Sequence, residues 1–149
     1  MKLLLVHGGL WENMTADRFW RAPGVTDGLI AAGYDCIAPD RIRQPATWRD
    51  DTDHLIRHTP DEPFAIIAAS NAVTSAIQTA IATADRVTGL LLAWPATQGD
   101  PRVDTLAQHL PHCDILPTFP ETPCPEFPAT CGHFLTTVTD WLATTRAHT

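Results

Sequence analysis

Residues 64–73, "FAIIAASNAV", decide how this chain folds. From Phe64 to Ala69 there is no charge and no polar alternation; then the chain turns polar at Ser70-Asn71. A strand with one wet face alternates apolar and polar residues, whereas a strand covered on both faces of a parallel sheet does not. Apolar residues at 73, 76, 77, 80, 81 and 84 then keep a 3.6-residue period, which predicts a helix over 71–84. A buried strand thus delivers a serine and an asparagine at its tip, between small residues. Either the serine caps the helix, a role it fills well, or it stands there to do chemistry.

Four more short apolar runs lie at 2–6, 34–38, 88–94 and 114–119. Segments with helical spacing separate them. One holds Phe19, Trp20, Val25, Leu29 and Ile30 and stops near Gly33, an expected C-terminal cap. Others cover about 48–58, 103–110 and 134–143. Strands alternating with helices predict an α/β domain with right-handed crossovers. The expected architecture is a single domain over 1–149, a three-layer α/β/α sandwich around five mostly parallel strands in the order 2-1-3-4-5. That order follows if the first crossover turns outward and leaves strand 3 beside strand 1. Five prolines crowd residues 117–128, which predicts an ordered loop or an extended edge segment there.

The net charge of −7 argues against nucleic acid or an anionic membrane as the main partner. The apolar run after Lys2 ends within four residues at His7-Gly8-Gly9, too short for the core of an export signal. No stretch approaches the roughly 20 apolar residues of a membrane span. The expected location is cytosolic, where Cys36, Cys113, Cys124 and Cys131 stay reduced.

In an open parallel sheet, chemistry collects beyond the C-terminal strand ends. Those positions carry His7-Gly8-Gly9, Pro39-Asp40-Arg41, Ser70-Asn71, residues 95–100, and the proline-rich segment leading to His133. "LLLVHGGLW", "AGYDCIAPDR", "AASNA", "ADRVTGLLLAWPA" and "CGHF" follow one another in that order. In this order the chain resembles the α/β-hydrolase family: an oxyanion loop, the next strand with an A-P-D-R ending, a nucleophile elbow, the following strand and the catalytic histidine. Two departures stand out. The elbow reads Ala68-Ala69-Ser70-Asn71-Ala72 where the family has G-x-S-x-G, and alanine still suits a turn that demands small neighbours. Between "LLLAWPA" and the histidine there is room for one strand, where the family normally has two.

The resemblance implies a minimal hydrolase core without a cap domain, and it assigns roles. Ser70 is the nucleophile and His133 its base. The acid that orients the imidazole is Asp100, with Glu121 and Glu126 as alternatives. Backbone N–H groups of Asn71 and of Gly9 or Leu10 form the oxyanion hole. Trp11 and Trp94 are expected to wall a small-molecule pocket. His7 is expected to fix its loop rather than to catalyse. The acidic "RDDTDH" at 49–54 is expected to be a solvated helix start favoured by the helix dipole. His109, His112, Cys113, Cys124, Cys131 and His133 crowd the last third without a zinc-ligand spacing, so no metal is expected. Nor is a nicotinamide or flavin cofactor.

The expected activity is hydrolysis of an ester, thioester or lactone. Two other classes stay open: a cyclase, isomerase or lyase using acid/base chemistry without an acyl-enzyme, and a non-catalytic small-molecule-binding module. The edges of a five-stranded open sheet further predict a homodimer.

Overall fold

The computed structural model describes residues 1–8, 14–69, 72–93, 113–116 and 127–147, with the backbone alone for 113–116, 127–133 and 145–147. Its strands are β1 (Lys2–Val6), β2 (Asp35–Ile37), β3 (Phe64–Ala69), β4 (Val87–Ala93) and β5 (Cys113–Leu116). They form one parallel sheet in the order β2-β1-β3-β4-β5, as expected. Val6 pairs with Ala68, and Ala69 pairs with Ala93, so β1, β3 and β4 end along one edge of the sheet.

The missing polar alternation has a direct cause, because both faces are covered. Leu3, Leu5, Ala65, Ile67, Ala69, Leu91 and Ala93 belong to one core, packed with Phe19, Trp20, Leu29, Phe134, Val138 and Leu142. Leu4, Val6, Phe64, Ile66, Ala68, Leu90 and Leu92 belong to the other, with Leu55, Val73, Ala76, Ile77 and Ala80. Successive strand residues point to opposite faces, so adjacent leucines serve different layers. Each such side chain, once buried, contributes roughly 1.5–3 kcal/mol.

Among the described residues, four α-helices supply the outer layers: α1 (Val25–Ala31), α2 (Trp48–Ile56), α3 (Val73–Ala82) and α4 (Phe127–Ala147). Helix α1 and the buried positions of α4 cover the first core, while α2 and α3 cover the second. Trp20 lies edge-on to Phe19 at 4.8 Å and 6.1 Å from Phe134, so aromatic packing fastens α4. Gly28 gives α4 its close approach: a Cβ there would meet Leu135 Cδ1 at 2.5 Å.

Some expectations are corrected. The helical spacing across 19–30 is split into a π-helical turn at Asp17–Arg21 and helix α1. Pro23 and Gly24, the latter with φ +92°, lie in the break. Gly33 does terminate α1. Its N–H bonds to Ile30 O at 3.0 Å and that of Tyr34 to Leu29 O at 3.1 Å, the paired bonds of a Schellman cap. Helix α4 begins at Phe127 rather than near 134, with Pro128 in its first turn, where proline lacks only an N–H that would have no helical partner. The expected helix at 103–110 and most of the proline-rich segment lie outside the described residues.

Candidate active site

The edge where β1, β3 and β4 end is the place to look, because parallel strands spaced about 4.8 Å apart bring their following residues together. Helix α3 starts from an N-cap at Ala72, which makes no side-chain cap hydrogen bond. Only two residues separate the end of β3 at Ala69 from that N-cap. Ala68, Ala69, Ala72, Val73 and Ala76 are all fully buried. Small side chains let strand and helix approach this closely.

Next to it, β1 runs into His7, which is 1% exposed. Its Nδ1 donates to Gly8 O at 2.7 Å, and its Nε2 accepts the backbone N–H of Arg41 at 3.1 Å. These bonds define a neutral ring with the proton on Nδ1. A second proton on Nε2 would oppose the Arg41 N–H, and burial, the largest influence, lowers the His7 pKa from 6.5. The bond to Gly8 O acts the other way, and the Arg41 charge lowers it further. His7 therefore has no free nitrogen with which to move a proton. It is a structural residue, as expected.

Arg41 turns back toward β1. Its Nη1 donates to His7 O at 2.8 Å, and its Nε and Nη2 reach Asp51 Oδ2 at 3.1 and 2.6 Å. Both side chains of this ion pair are fully buried. Asp51 corrects the reading of 49–54 as a solvated helix start, because α2 turns Asp51, Thr52 and Leu55 inward. A signal existed: Asp51 lies four residues before Leu55, on one face of the helix. Counting apolar residues could not detect it. Asp50 and Asp53 keep the exposed side, and Thr47 Oγ1 caps the helix by accepting from Asp50 N–H.

Asp40 works beside Arg41. Its Oδ1 accepts the N–H of Ala16 at 2.8 Å, and its carbonyl oxygen accepts from His54 Nε2 at 2.8 Å. The Pro39-Asp40-Arg41 motif thus joins the end of β2 to both flanks of the segment that follows β1.

His133 is the seventh residue of α4 rather than part of a preceding loop, which corrects its expected setting. Its side chain, and Ser70, Asn71, Gly9, Leu10, Trp11, Trp94, Asp100, Glu121 and Glu126, lie outside the described residues. So do the side chains of the cysteines and histidines of the last third. No group of His, Cys, Asp or Glu among the described residues could hold a metal ion. Cys36 is a free thiol that burial pushes up to about 11, which makes it a poor nucleophile.

No family model matches the chain, and no curated protein matches its sequence. Solved structures do match its shape. A predicted CIB-like hydrolase from Thermoplasma acidophilum aligns over 95% of this chain and 85% of its own, with TM-score 0.64 and 17% identity. An extracellular α/β-hydrolase from a Paenibacillus species aligns over 72% of this chain with TM-score 0.55 and 16% identity. A probable hydrolytic enzyme from Pseudomonas aeruginosa aligns over 68% with TM-score 0.52 and 23% identity. The chain spans 50% of the Paenibacillus protein and 34% of the Pseudomonas one. Among the described residues, no helix is long and apolar enough to cross a membrane. The fold is that of the α/β-hydrolases.

Proposed function

On the premise of an α/β-hydrolase fold, we propose that the protein is a serine hydrolase acting on an ester, thioester or lactone of a small molecule. The observation that carries this reading is the pairing of Val6 with Ala68, which ends β1 and β3 side by side. The sequence runs on from these adjacent strand ends toward Gly9 and toward Ser70. In the proposed reaction the Ser70 hydroxyl attacks the substrate carbonyl while His133 accepts its proton. The Asn71 N–H with that of Gly9 or Leu10 stabilises the oxyanion. His133 then returns the proton to the departing alcohol or thiol, and water releases the acyl group by the reverse sequence. Asp100 is the first candidate to orient His133, ahead of Glu121 and Glu126, and Trp11 and Trp94 would wall the substrate pocket. No cofactor enters this scheme.

The test is labelling with a fluorophosphonate probe, together with turnover of p-nitrophenyl acetate, in the wild type and Ser70→Ala. Both activities should vanish in the variant. Equal labelling and equal turnover in the two proteins would remove Ser70 from the mechanism.

The position of His133 within α4 favours keeping a second reading. If Ser70→Ala retains activity and His133→Ala loses it, the site does acid/base chemistry without an acyl-enzyme, as a cyclase, isomerase or lyase. If neither substitution matters and a small molecule still binds, the chain is a binding module.

A further inference from the structure

We propose that Asp40 and Arg41, backed by Asp51, are positioning residues that hold His7 and Ala16, the two ends of the span that contains Gly9 and Leu10. The catalytic consequence rests on the serine-hydrolase reading, which assigns Gly9 or Leu10 of that span to the oxyanion hole. The clamp itself rests only on described contacts.

Two adjacent residues hold both flanks of the span. At its start, Arg41 donates from its backbone N–H to His7 Nε2 at 3.1 Å and from Nη1 to His7 O at 2.8 Å. At its far end, the Asp40 carboxylate accepts the Ala16 N–H at 2.8 Å. The guanidinium is aimed rather than merely present, because Asp51 engages Nε and Nη2 and leaves Nη1 to His7 O. His54 Nε2, on α2, donates to the Asp40 carbonyl oxygen at 2.8 Å and fixes the motif from behind.

A buried ion pair is weak evidence of stabilisation, since removing two charges from water offsets most of their attraction. What the Arg41–Asp51 pair supplies is direction. A planar fork held by a carboxylate can donate along only a few lines, and one of them ends on the carbonyl of His7. On the serine-hydrolase reading, the oxyanion donor would lie two or three residues later in the sequence. Transition-state stabilisation of this kind is sensitive to misplacement by about 1 Å.

Asp40 is the residue to change first, because it is exposed and its loss should not unfold the chain. Asp40→Ala should lower kcat on p-nitrophenyl acetate on the order of tenfold with KM unchanged. Amide hydrogen exchange should rise in peptides covering residues 14–19. Asp40→Asn keeps an acceptor oxygen and should restore both readouts. Arg41→Lys cannot hold His7 O and Asp51 together and should lower kcat roughly 100-fold. Wild-type kcat and wild-type exchange in Asp40→Ala would overturn the proposal. If the wild type itself has no Ser70-dependent turnover, the hydrolase reading fails and exchange decides the clamp. Faster exchange at 14–19 then upholds it, and unchanged exchange overturns it.

Discussion

The connection after β1 and the connection after β3 leave neighbouring strands at the same edge of the sheet, yet they are held differently. After β3 the chain reaches the N-cap of α3 in two residues, amid the buried alanines Ala68, Ala69, Ala72 and Ala76. A connection of two residues has little conformational freedom to lose. After β1, ten residues of sequence lie between Val6 and Asp17, where the π-helical turn begins. A longer connection loses more entropy on ordering. Bonds from elsewhere offset that loss, and they come from Asp40, Arg41 and Asp51, residues distant in sequence. The flanks of the short connection are small buried alanines; those of the long one are held by a polar bracket.

The contrast is open to attack by substitution. The largest effect is expected at the bracket. Asp51→Ala leaves the Arg41 charge buried without its carboxylate and should lower unfolding free energy by about 3–5 kcal/mol, read from urea titration. Replacing both partners, as Arg41→Met with Asp51→Leu, should recover most of that loss. An equally unstable double variant would mean that the pair contributes stability rather than direction. At the β3 connection the expectation is steric: Ala68→Leu, on the face that packs with Ala72, Val73 and Ala76, should cost about 1–3 kcal/mol by overpacking. Retention of wild-type stability would show that strand and helix have room to part.

Gly33 sharpens the same point at a turn specified by one residue. Its φ of +98° is unfavourable for any side chain, while a Cβ there would meet nothing within 4 Å. Gly33→Ala should therefore cost about 1–2 kcal/mol from backbone conformation alone, measured by thermal unfolding. A neutral result would mean that the cap relaxes freely.

A smaller effect is pH-dependent. The His7 pKa is lowered from 6.5 in the folded protein, foremost by burial. Its contribution to stability is fully present above pH 6.5 and is lost as pH falls through the folded value, because the unfolded chain binds the proton first. His58 shifts in the same direction, through desolvation and then the charges of His54 and Arg57. The comparison therefore belongs in a His58→Gln background. There, His7→Asn should flatten the fall of Tm as pH drops below 6.5. An equally steep fall would assign the proton uptake to another group.

The weakest expected effect is association. The β2 edge pairs through only three residues, Asp35 to Ile37, and Pro39 follows, so homodimerisation through it should be weak. Light scattering at micromolar concentration should exceed the monomer mass, and a value near 16.3 kDa would reject the dimer.

By itself, the sequence determined the layers. Uninterrupted apolar runs specify strands covered on both faces, which is why β1 and β3 match their expected limits residue for residue. Alternation with helical spacing then specified parallel connections, and an outward first crossover the sheet order. Gly33 was legible because positive φ selects glycine. Pro23-Gly24 carried an equally local signal, but the apolar spacing of Phe19 to Ile30 ran across it. The catalytic assignment of Ser70 and His133 comes from motif order, and the described geometry bears only on their surroundings. The tertiary structure decided which charges go inside. Asp51, on α2, and Arg41, in the connection after β2, lie ten residues apart, and each reads as a surface residue. Periodicity sorts residues by their preference for water, so it places any lone charge outside. A buried charge becomes acceptable only once its partner is beside it, and that proximity exists only after α2 has folded against the end of β2.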